Sequence, residues 1–511
     1  MKKIFFALAA FLAFEHAAIA QTQQPGVCGT SLEDQLLMRE LMPVDHTHTT
    51  ASERSNAVQY VPIHFHLVAD SDGNGRHKIS RALDQMCDLN AAYEGNDMRF
   101  FLRPHNTYGL FDKSINNDNV YSNQSNTFTM NNRRLTNALN VYVTNIADSG
   151  NPNPIGIVLA YYSPTFDWVV SRKDQVNGSG NGTIPHEVGH FFSLPHTFFG
   201  WESAPFQPGS AGWPTAPAVS PGGVPTERMN GTNCSTAADG ICDTPPDYNF
   251  GLLVANCQYN GGAKDPLGVT VDPMENNYMG YFSTCNYEFT PGQLAQVSTN
   301  LNSPARNYLD NTFTPAAETV VTPDDLLQLP ASGDTVDAYN NVAFQWQAVA
   351  GATWYLFEID INSSYTSPFS QEILTNDPTV TLTNLQANRT YFWRVRPFNE
   401  YYTCNSAKQR TFRTPATTSA NDIAEISKWY VSPNPLGAGA ARINVNASQG
   451  FDANLTVFDA VGRQVYRQNN LTFSAGETTV ELPLDNAPNG MYFVVLDSAA
   501  GSSTRKLTVL R

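Results

Sequence analysis

One five-residue segment restricts the fold of this chain more than any other feature. His186 and His190 stand four residues apart, with Glu187 beside the first of them, in the sequence HEVGH. Side chains at positions i and i+4 share one face of an α-helix, so this spacing predicts a helix that presents both imidazoles to one metal ion. His196 follows six residues later and supplies a third nitrogen once the helix has turned away.

Three neutral imidazoles are typical of a catalytic zinc site because they leave the ion its full charge and one open coordination position. Zinc lowers the pKa of a water in that position toward about 7, and Glu187 would accept the proton. The segment therefore predicts Zn²⁺ held by His186, His190 and His196, with Glu187 as the general base. The alternative is an amphipathic helix without a metal, but exposed imidazoles alternating with phenylalanines would then have no evident packing role.

The N-terminus indicates export. Residues 1–20 combine a basic start, a short apolar run and Ala18-Ile19-Ala20, which are the features of a signal peptide, so the mature chain should begin near Gln21. No later stretch reaches the roughly 18 consecutive apolar residues of a spanning helix. We therefore expect a protein that is secreted or attached to the cell surface, with no transmembrane segment.

The charge balance argues against one class of partner. The 511 residues include 46 acidic and 30 basic side chains, for a net charge of -16 at pH 7. Such a chain offers no basic surface for a phosphate backbone, so nucleic acid is not expected as a partner. The length itself predicts about three or four domains.

Residues 58–310 predict an α/β domain. Three apolar stretches indicate strands and one run with helical spacing indicates a helix: 58–68, 139–144, 155–161 and 79–87. A long stretch rich in Gly, Pro, Ser and Asn then indicates loops, and four cysteines lie in or near it: Cys234, Cys242, Cys257 and Cys285. Two disulfides are expected among these four, with three pairings open.

Beyond residue 312 the apolar period becomes two, which predicts all-β domains at 322–415 and 427–511. In the first, Phe344-Gln345-Trp346 and the segment ending TYFWRVR at residue 396 resemble a fibronectin type III module. In the second, four pieces resemble the C-terminal sorting domain of proteins exported by the type IX secretion system of Bacteroidetes: VSPNP at 431–435, VFDAVG at 457–462, NGMY at 489–492 and KLTV at 506–509. The resemblance implies an address for the secretion machinery; a binding sandwich is the alternative.

The zinc segment HEVGHFFSLPHTF at 186–198 resembles that of the metzincins, and specifically the pappalysin-like family of secreted endopeptidases. Three further pieces extend the resemblance over about residues 28–300: CDTP at 242–245, NYMGY at 277–281 and Cys28-Gly29-Thr30. It implies a metzincin-like catalytic domain that hydrolyses protein or peptide substrates. It also implies that Met279 underlies the ligands in a Met-turn and that Tyr281 steadies the oxyanion.

The resemblance further implies a zymogen. The thiolate of Cys28 would occupy the open position of the zinc until a pro-segment, residues 21–57, is cut away, and Arg39 and Arg54 are the two candidate sites for a trypsin-like activator. An ordinary surface cysteine is the alternative. Asp239, Asp243 and Thr244 resemble the family's calcium-binding loop, where an Asp-rich turn without an ion is equally open.

One position departs from the family pattern. Ser193 replaces the glycine that reverses the chain after the second ligand, so we expect a positive φ there, which costs a residue other than glycine about 1 kcal/mol. A binding protein with a decayed protease fold, or a surface adhesin built on the β-domains, therefore stays open as an alternative. His64 and His66 also share one strand face, and without a third ligand we expect core or edge histidines there.

Overall fold

The computed structural model describes residues 26–41, 58–116, 127–148, 150, 156–207, 215–254, 256–309, 319–416, 423, 425–437, 439–499 and 501–511. The expected signal peptide and the remaining parts of the expected pro-segment lie outside these residues. The chain divides into two compact units, Met1–Pro315 and Ala316–Arg511. It is multidomain, with many strands and few helices.

The described residues of the first unit form five α-helices and seven strands. The helices are α1 (Leu32–Leu41), α2 (Ile79–Ala92), α3 (Thr127–Arg133), α4 (Thr183–Phe191) and α5 (Pro291–Leu301). The strands are β1 (Gly26–Cys28), β2 (Gln59–Leu67), β3 (Met98–Leu102), β4 (Phe111–Asp112), β5 (Leu139–Thr144), β6 (Ile157–Ser163) and β7 (Trp168–Arg172).

These strands form one twisted sheet in the order β1-β6-β7-β5-β2-β3, with β4 also pairing with β2. Most neighbours run parallel, whereas β6 runs antiparallel to β7. The predicted strands at 58–68, 139–144 and 155–161 correspond to β2, β5 and β6. Strands β2 and β5 are rich in apolar residues and mostly buried, which is typical of parallel strands that are covered on both faces.

Helix α4 contacts β6, β7 and α2, so it is held from several sides. The remainder of the first unit consists largely of loops, and two disulfides close them. The cysteines pair as Cys234–Cys242 and Cys257–Cys285, which selects one of the three pairings that the sequence left open. Two disulfides were predicted among these four cysteines, and that prediction is confirmed.

The second unit is all β. Its first region has strands β8 (Leu327–Leu329), β9 (Val342–Trp346), β10 (Trp354–Asp360), β11 (Gln371–Thr375), β12 (Thr379–Leu382), β13 (Thr390–Phe398) and β14 (Lys408–Arg413). The sheets β11-β10-β13-β14 and β12-β9-β8 enclose an aromatic core that includes Phe344, Trp346 and Trp393.

Its second region has strands β15 (Ile426–Ser432), β16 (Ala441–Ala447), β17 (Phe451–Asp459), β18 (Gln464–Phe473), β19 (Gly476–Leu482), β20 (Gly490–Ser498) and β21 (Gly501–Val509). The sheets β15-β16-β19 and β18-β17-β20-β21 enclose a separate core of mostly aliphatic side chains. Among the residues described, no helix combines the length and the apolar character that crossing a bilayer would require.

Candidate metal centre

Helix α4 and the turn after it bring the three predicted ligand histidines together. His186 and His190 lie one helical turn apart on α4, and the helix ends directly after Phe191. Ser193 then adopts a left-handed conformation with φ 67, as predicted, and reverses the chain. His196 consequently returns toward the helix, with its ring centroid 4.7 Å from that of His190.

Four side chains converge at this point. One ligand atom each from Cys28, His186, His190 and His196 lies within 4.8 Å of all the others. Within the described part of the chain, no other group of three or more His, Cys, Asp or Glu side chains converges in this way. The donor set of three imidazoles and one thiol is that of a tetrahedral zinc site.

The hydrogen bonds of two of these imidazoles test whether a cation fits. The outer nitrogen Nδ1 of His186 lies 2.6 Å from the carbonyl oxygen of Tyr278, and that of His190 lies 2.7 Å from the carbonyl oxygen of Leu194. A carbonyl oxygen only accepts, so each Nδ1 carries the ring proton and each Nε2 presents a lone pair.

In the part of the chain that the structure describes, no group donates a hydrogen bond to all three of the inner nitrogens, the Nε2 atoms of His186, His190 and His196. The Nε2 atom of His186 is buried without a hydrogen-bond partner, and the Nε2 atoms of His190 and His196 face each other at 3.2 Å. Burial lowers the pKa of His186 to about 4 and lowers the pKa of His190 and His196 well below the ordinary value, so the rings are neutral. Converging neutral donors in a buried site fit a divalent cation.

Glu187 lies beside the cluster on the side of the N-terminal segment (residues 26–41). Its carboxylate is buried, and Oε2 lies 3.4 Å from both the Cys28 thiol and the Thr30 hydroxyl, which donate to it. Burial raises the pKa of Glu187 to about 8. Burial and the charge of Glu187 also raise the pKa of Cys28, a balance that a cation would reverse because a coordinating thiol loses its proton.

Met279 and Tyr281 both lie beside the histidines. Met279 is fully buried against α4 at Gly189, where a side chain would collide with its sulfur atom. The Tyr281 ring lies 5.1 Å from the His196 ring, centroid to centroid. Its hydroxyl donates to the carbonyl oxygen of Cys28 at 3.2 Å and accepts from the N–H of the same residue at 3.1 Å.

The N-terminal segment runs through this site. Strand β1 pairs in parallel with β6, with Gly26 opposite Ile157 and Cys28 opposite Ala160. Cys28 is a free cysteine, and its sulfur also accepts a hydrogen bond from the N–H of Thr30 at 3.3 Å. A stretch of extended backbone therefore adds to the sheet edge beside the histidines and places its thiol on them.

The three residues expected to bind calcium make two separate sets of hydrogen bonds. Thr244 donates from its hydroxyl to the buried carboxylate of Asp239 at 2.9 Å. Asp243 instead accepts from a hydroxyl and a backbone N–H at the start of α5, at 2.8 and 2.7 Å. Glu227, which the sequence analysis did not consider, is buried with one carboxylate oxygen lacking a partner.

Sequence reasoning missed two residues that touch the cluster. Gln35 and Glu202 both approach the outer nitrogen of His196, at 3.0 and 3.3 Å. Glu202 had a weak signal as an acid six residues after His196, whereas nothing near Gln35 distinguishes it from a solvent-facing glutamine.

His64 and His66 are core histidines, as predicted. His66 lies between Asp112 and Asn140 at 3.1 and 3.0 Å, and the Nδ1 atom of His64 lies 2.9 Å from the carbonyl oxygen of Arg103. Neither ring belongs to the metal cluster.

Comparison with known proteins agrees with two parts of this description. Residues 430–510 match the family described as the secretion system C-terminal sorting domain. An extracellular metalloprotease of Sordaria macrospora is 26% identical over 327 residues, 59% of this chain and 96% of that protein. An extracellular metalloprotease of Verticillium alfalfae is 26% identical over 299 residues, 54% of this chain and 86% of that protein.

Two solved structures resemble parts of the chain only slightly. The FN1-FN3 domains of chicken CNTN1 match with a TM-score of 0.17 and 12% identity, over 35% of this chain and 66% of that chain. The fn3 domain of the human collagen alpha-1(XX) chain matches with a TM-score of 0.15 and 25% identity, over 20% of this chain and 93% of that chain. The chain is thus distantly similar to fungal extracellular metalloproteases and carries a type IX sorting domain, which directs it to the cell surface or beyond.

Proposed function

We propose that this chain is the precursor of a zinc-dependent endopeptidase, with a metzincin-like α/β catalytic domain of the pappalysin-like kind at residues 58–310. The observation that carries the proposal is the convergence of three neutral imidazoles beside a buried carboxylate, with the inner nitrogen of His186 left without a hydrogen-bond partner. The distant similarity to extracellular metalloproteases supports it independently.

Each residue has a separate task in the proposed reaction. His186, His190 and His196 hold the ion, which when bound polarises the scissile carbonyl and acidifies a water. Glu187 would take a proton from the attacking water and pass it to the leaving amine. Tyr281 donates its hydroxyl to the developing oxyanion, as it now donates to a carbonyl of the N-terminal segment.

The N-terminal segment acts as part of an inhibitory pro-segment, residues 21–57. Its backbone occupies the sheet edge at β6, its Cys28 thiol completes the donor set, and Thr30 engages the general base. We expect a Cys28→Ala precursor to cleave substrate before activation. A Cys28→Ala precursor that stays as inactive as the parent would end this part of the proposal.

The remaining domains serve delivery. Residues 322–415 form a fibronectin type III-like sandwich, and residues 427–511 carry the address read by the secretion machinery. The substrates of the catalytic domain are proteins or peptides outside the cell.

The experiment compares the activated parent protein with Glu187→Gln and His190→Ala on denatured casein and a peptide library, with metal content measured by mass spectrometry. We expect one zinc per parent chain and cleavage; Glu187→Gln retains zinc but loses cleavage, and His190→Ala loses both. His64→Asn, which changes a buried histidine outside the cluster, is the control and should retain both. A parent protein that holds zinc but cleaves nothing would favour the decayed binding protein instead.

A further inference from the structure

The outer nitrogen of the third ligand has two neighbours of opposite hydrogen-bonding character. The Nδ1 atom of His196 lies 3.0 Å from the amide nitrogen of Gln35 and 3.3 Å from a carboxylate oxygen of Glu202. Gln35 lies on α1 within the N-terminal segment, whereas Glu202 lies in the loop that follows His196. Activation would remove the first neighbour and leave the second.

The orientation of the Gln35 amide is determined by a second contact. The backbone N–H of His196 donates to Gln35 Oε1 at 2.9 Å, so the amide nitrogen is the atom that faces Nδ1. An amide nitrogen only donates, and it therefore needs an Nδ1 without a proton. A neutral ring then carries its proton on Nε2, where His190 Nε2 accepts it at 3.2 Å.

Glu202 favours the opposite arrangement. A carboxylate only accepts, so it is satisfied by a proton on His196 Nδ1, which frees the Nε2 lone pair for a metal ion. The other Glu202 oxygen already accepts from the N–H of Gly200 at 2.8 Å, which fixes the carboxylate in place. Gln35 and His196 are fully buried and the Glu202 side chain is 13% exposed, so water competes little for these bonds.

We propose that Glu202 is the positioning residue of the third metal ligand and that Gln35 withholds it from that role in the precursor. The Gln35 amide lies 3.1 Å from Glu202 Oε1 and so occupies the carboxylate as well as the imidazole. The N-terminal segment thus restrains the site through Gln35 as well as through Cys28, and its departure leaves Glu202 alone in contact with Nδ1 of His196. This inference rests on the proposed function, because it requires a metal at the three imidazoles.

The test measures the zinc dissociation constant by competition with a fluorescent chelator, in the precursor and in the activated protein. Glu202→Gln keeps the size of the side chain but cannot accept from both Nδ1 and Gly200. In the activated protein we expect it to weaken zinc binding by about 10- to 100-fold, as loss of an outer partner of a ligand histidine does. In the precursor, where Gln35 already occupies Nδ1, the loss should stay below about threefold.

Gln35→Leu in the precursor is the matched variant. It should tighten zinc binding about fivefold by removing one opposing hydrogen bond, and it should restore the full sensitivity to Glu202→Gln. Thermal melting establishes that each variant is folded, and Glu202→Asp, which keeps the charge, should retain most of the affinity. If Glu202→Gln does not fold, the change in the zinc affinity of the precursor on Gln35→Leu tests the proposal by itself.

Two outcomes would overturn the inference while leaving the proposed function intact. Glu202→Gln could weaken zinc binding equally in the precursor and in the activated protein, which would indicate a merely structural role. Alternatively, it could leave zinc binding by the activated protein unchanged. An activated parent that binds no zinc would overturn the proposed function and this inference together.

Discussion

At the scale of single residues, Ser193 carries the conformational cost of the turn that returns His196 to the helix. A side chain in the left-handed region costs about 1 kcal/mol relative to glycine. The Ser193 hydroxyl offsets this because it is buried and accepts from the Asn300 amide at 2.9 Å. The serine is therefore integrated into the packing, which argues against decay of the site at this position.

We expect Ser193→Gly to leave stability nearly unchanged, because it removes the backbone cost and the hydrogen bond together. Ser193→Ala keeps the cost and loses the bond, so it should destabilise by about 1–2 kcal/mol. In a unit of this size that lowers the melting temperature by roughly 2–8 °C, which calorimetry resolves. Equal melting temperatures for the two variants would contradict this account of Ser193.

His64 should make stability depend on pH. Burial is the main cause that lowers the pKa of His64 to about 3. The charges of His66 and, more weakly, His105 also lower it, whereas the charge of Asp112 raises it. The folded pKa lies below the unfolded value of about 6.5, so the unfolded chain binds the proton more readily. Stability is therefore full above about pH 6.5 and falls by up to roughly 1.4 kcal/mol per unit as the pH drops toward 3.

The measurement is the melting temperature of His64→Asn and parent at pH 7 and pH 5. We expect the disadvantage of the variant at pH 7 to shrink by about 2 kcal/mol at pH 5, since only the parent pays the cost of protonation. His105→Asn changes a more exposed neighbour and is the control. A disadvantage that stays constant with pH would show that His64 is not the titrating group.

At the scale of elements, helix α1 protects one of the two candidate activation sites. Arg39 lies inside α1, donates to the Ala238 carbonyl at 2.7 Å and stacks 4.0 Å from the Phe199 ring. A protease needs locally unfolded backbone, which a docked helix does not offer. Arg54 lies outside the described residues.

We therefore expect trypsin to spare the bond after Arg39 in the folded precursor and to cut after Arg54 first. Mass spectrometry of a digestion time course identifies the order of the cuts, and Arg54→Gln should delay activation. A first product that begins at Glu40 would contradict the protection by α1.

The loop around residues 227–247 contains three buried carboxylates, those of Glu227, Asp239 and Asp247. Burial raises the pKa of Glu227 and Asp239, and the charge of Asp239 raises that of Glu227 further. Removing such groups from water is unfavourable unless a cation or a proton accompanies them. We propose that a calcium ion bound at this loop would contact Glu227 and Asp239 rather than Asp243, which already accepts two hydrogen bonds at the start of α5.

We expect saturating Ca²⁺ to raise the melting temperature of the first unit by about 5–10 °C over EGTA, the effect of ligand at about 100 times its dissociation constant. Asp239→Asn should abolish the response. Asp243→Asn, which changes only the contact at the start of α5, should retain it. Identical melting in Ca²⁺ and EGTA would exclude calcium at this loop.

At the scale of the whole molecule, the sorting sandwich has its own core and contributes none of the residues of the metal cluster. We expect deletion of residues 427–511 to stop export while the retained protein still binds zinc and cleaves casein after activation. Immunoblots of the medium and of cell fractions measure the first effect, and assays on purified protein measure the second. Secretion of the deletion variant at the level of the parent would contradict a delivery role.

Local patterns predicted much of the fold. The alternation of apolar residues located Phe344-Gln345-Trp346 within β9 (Val342–Trp346), and the apolar run at 139–144 located β5 end to end. Strands β3 and β7 were not predicted. The i and i+4 histidines located α4, because helical periodicity is a property of neighbouring residues.

The sequence by itself determined the number of disulfides in the loops and the address at the C-terminus, and it predicted a ligand triad and a general base, since each depends on residues close together in the chain. Only the tertiary structure decided which cysteines pair. It also placed Cys28 against the histidines and brought both Gln35 and Glu202 to the outer nitrogen of His196. Gln35 lies 161 positions from His196. Packing of the whole unit sets such a contact, and no local pattern encodes it.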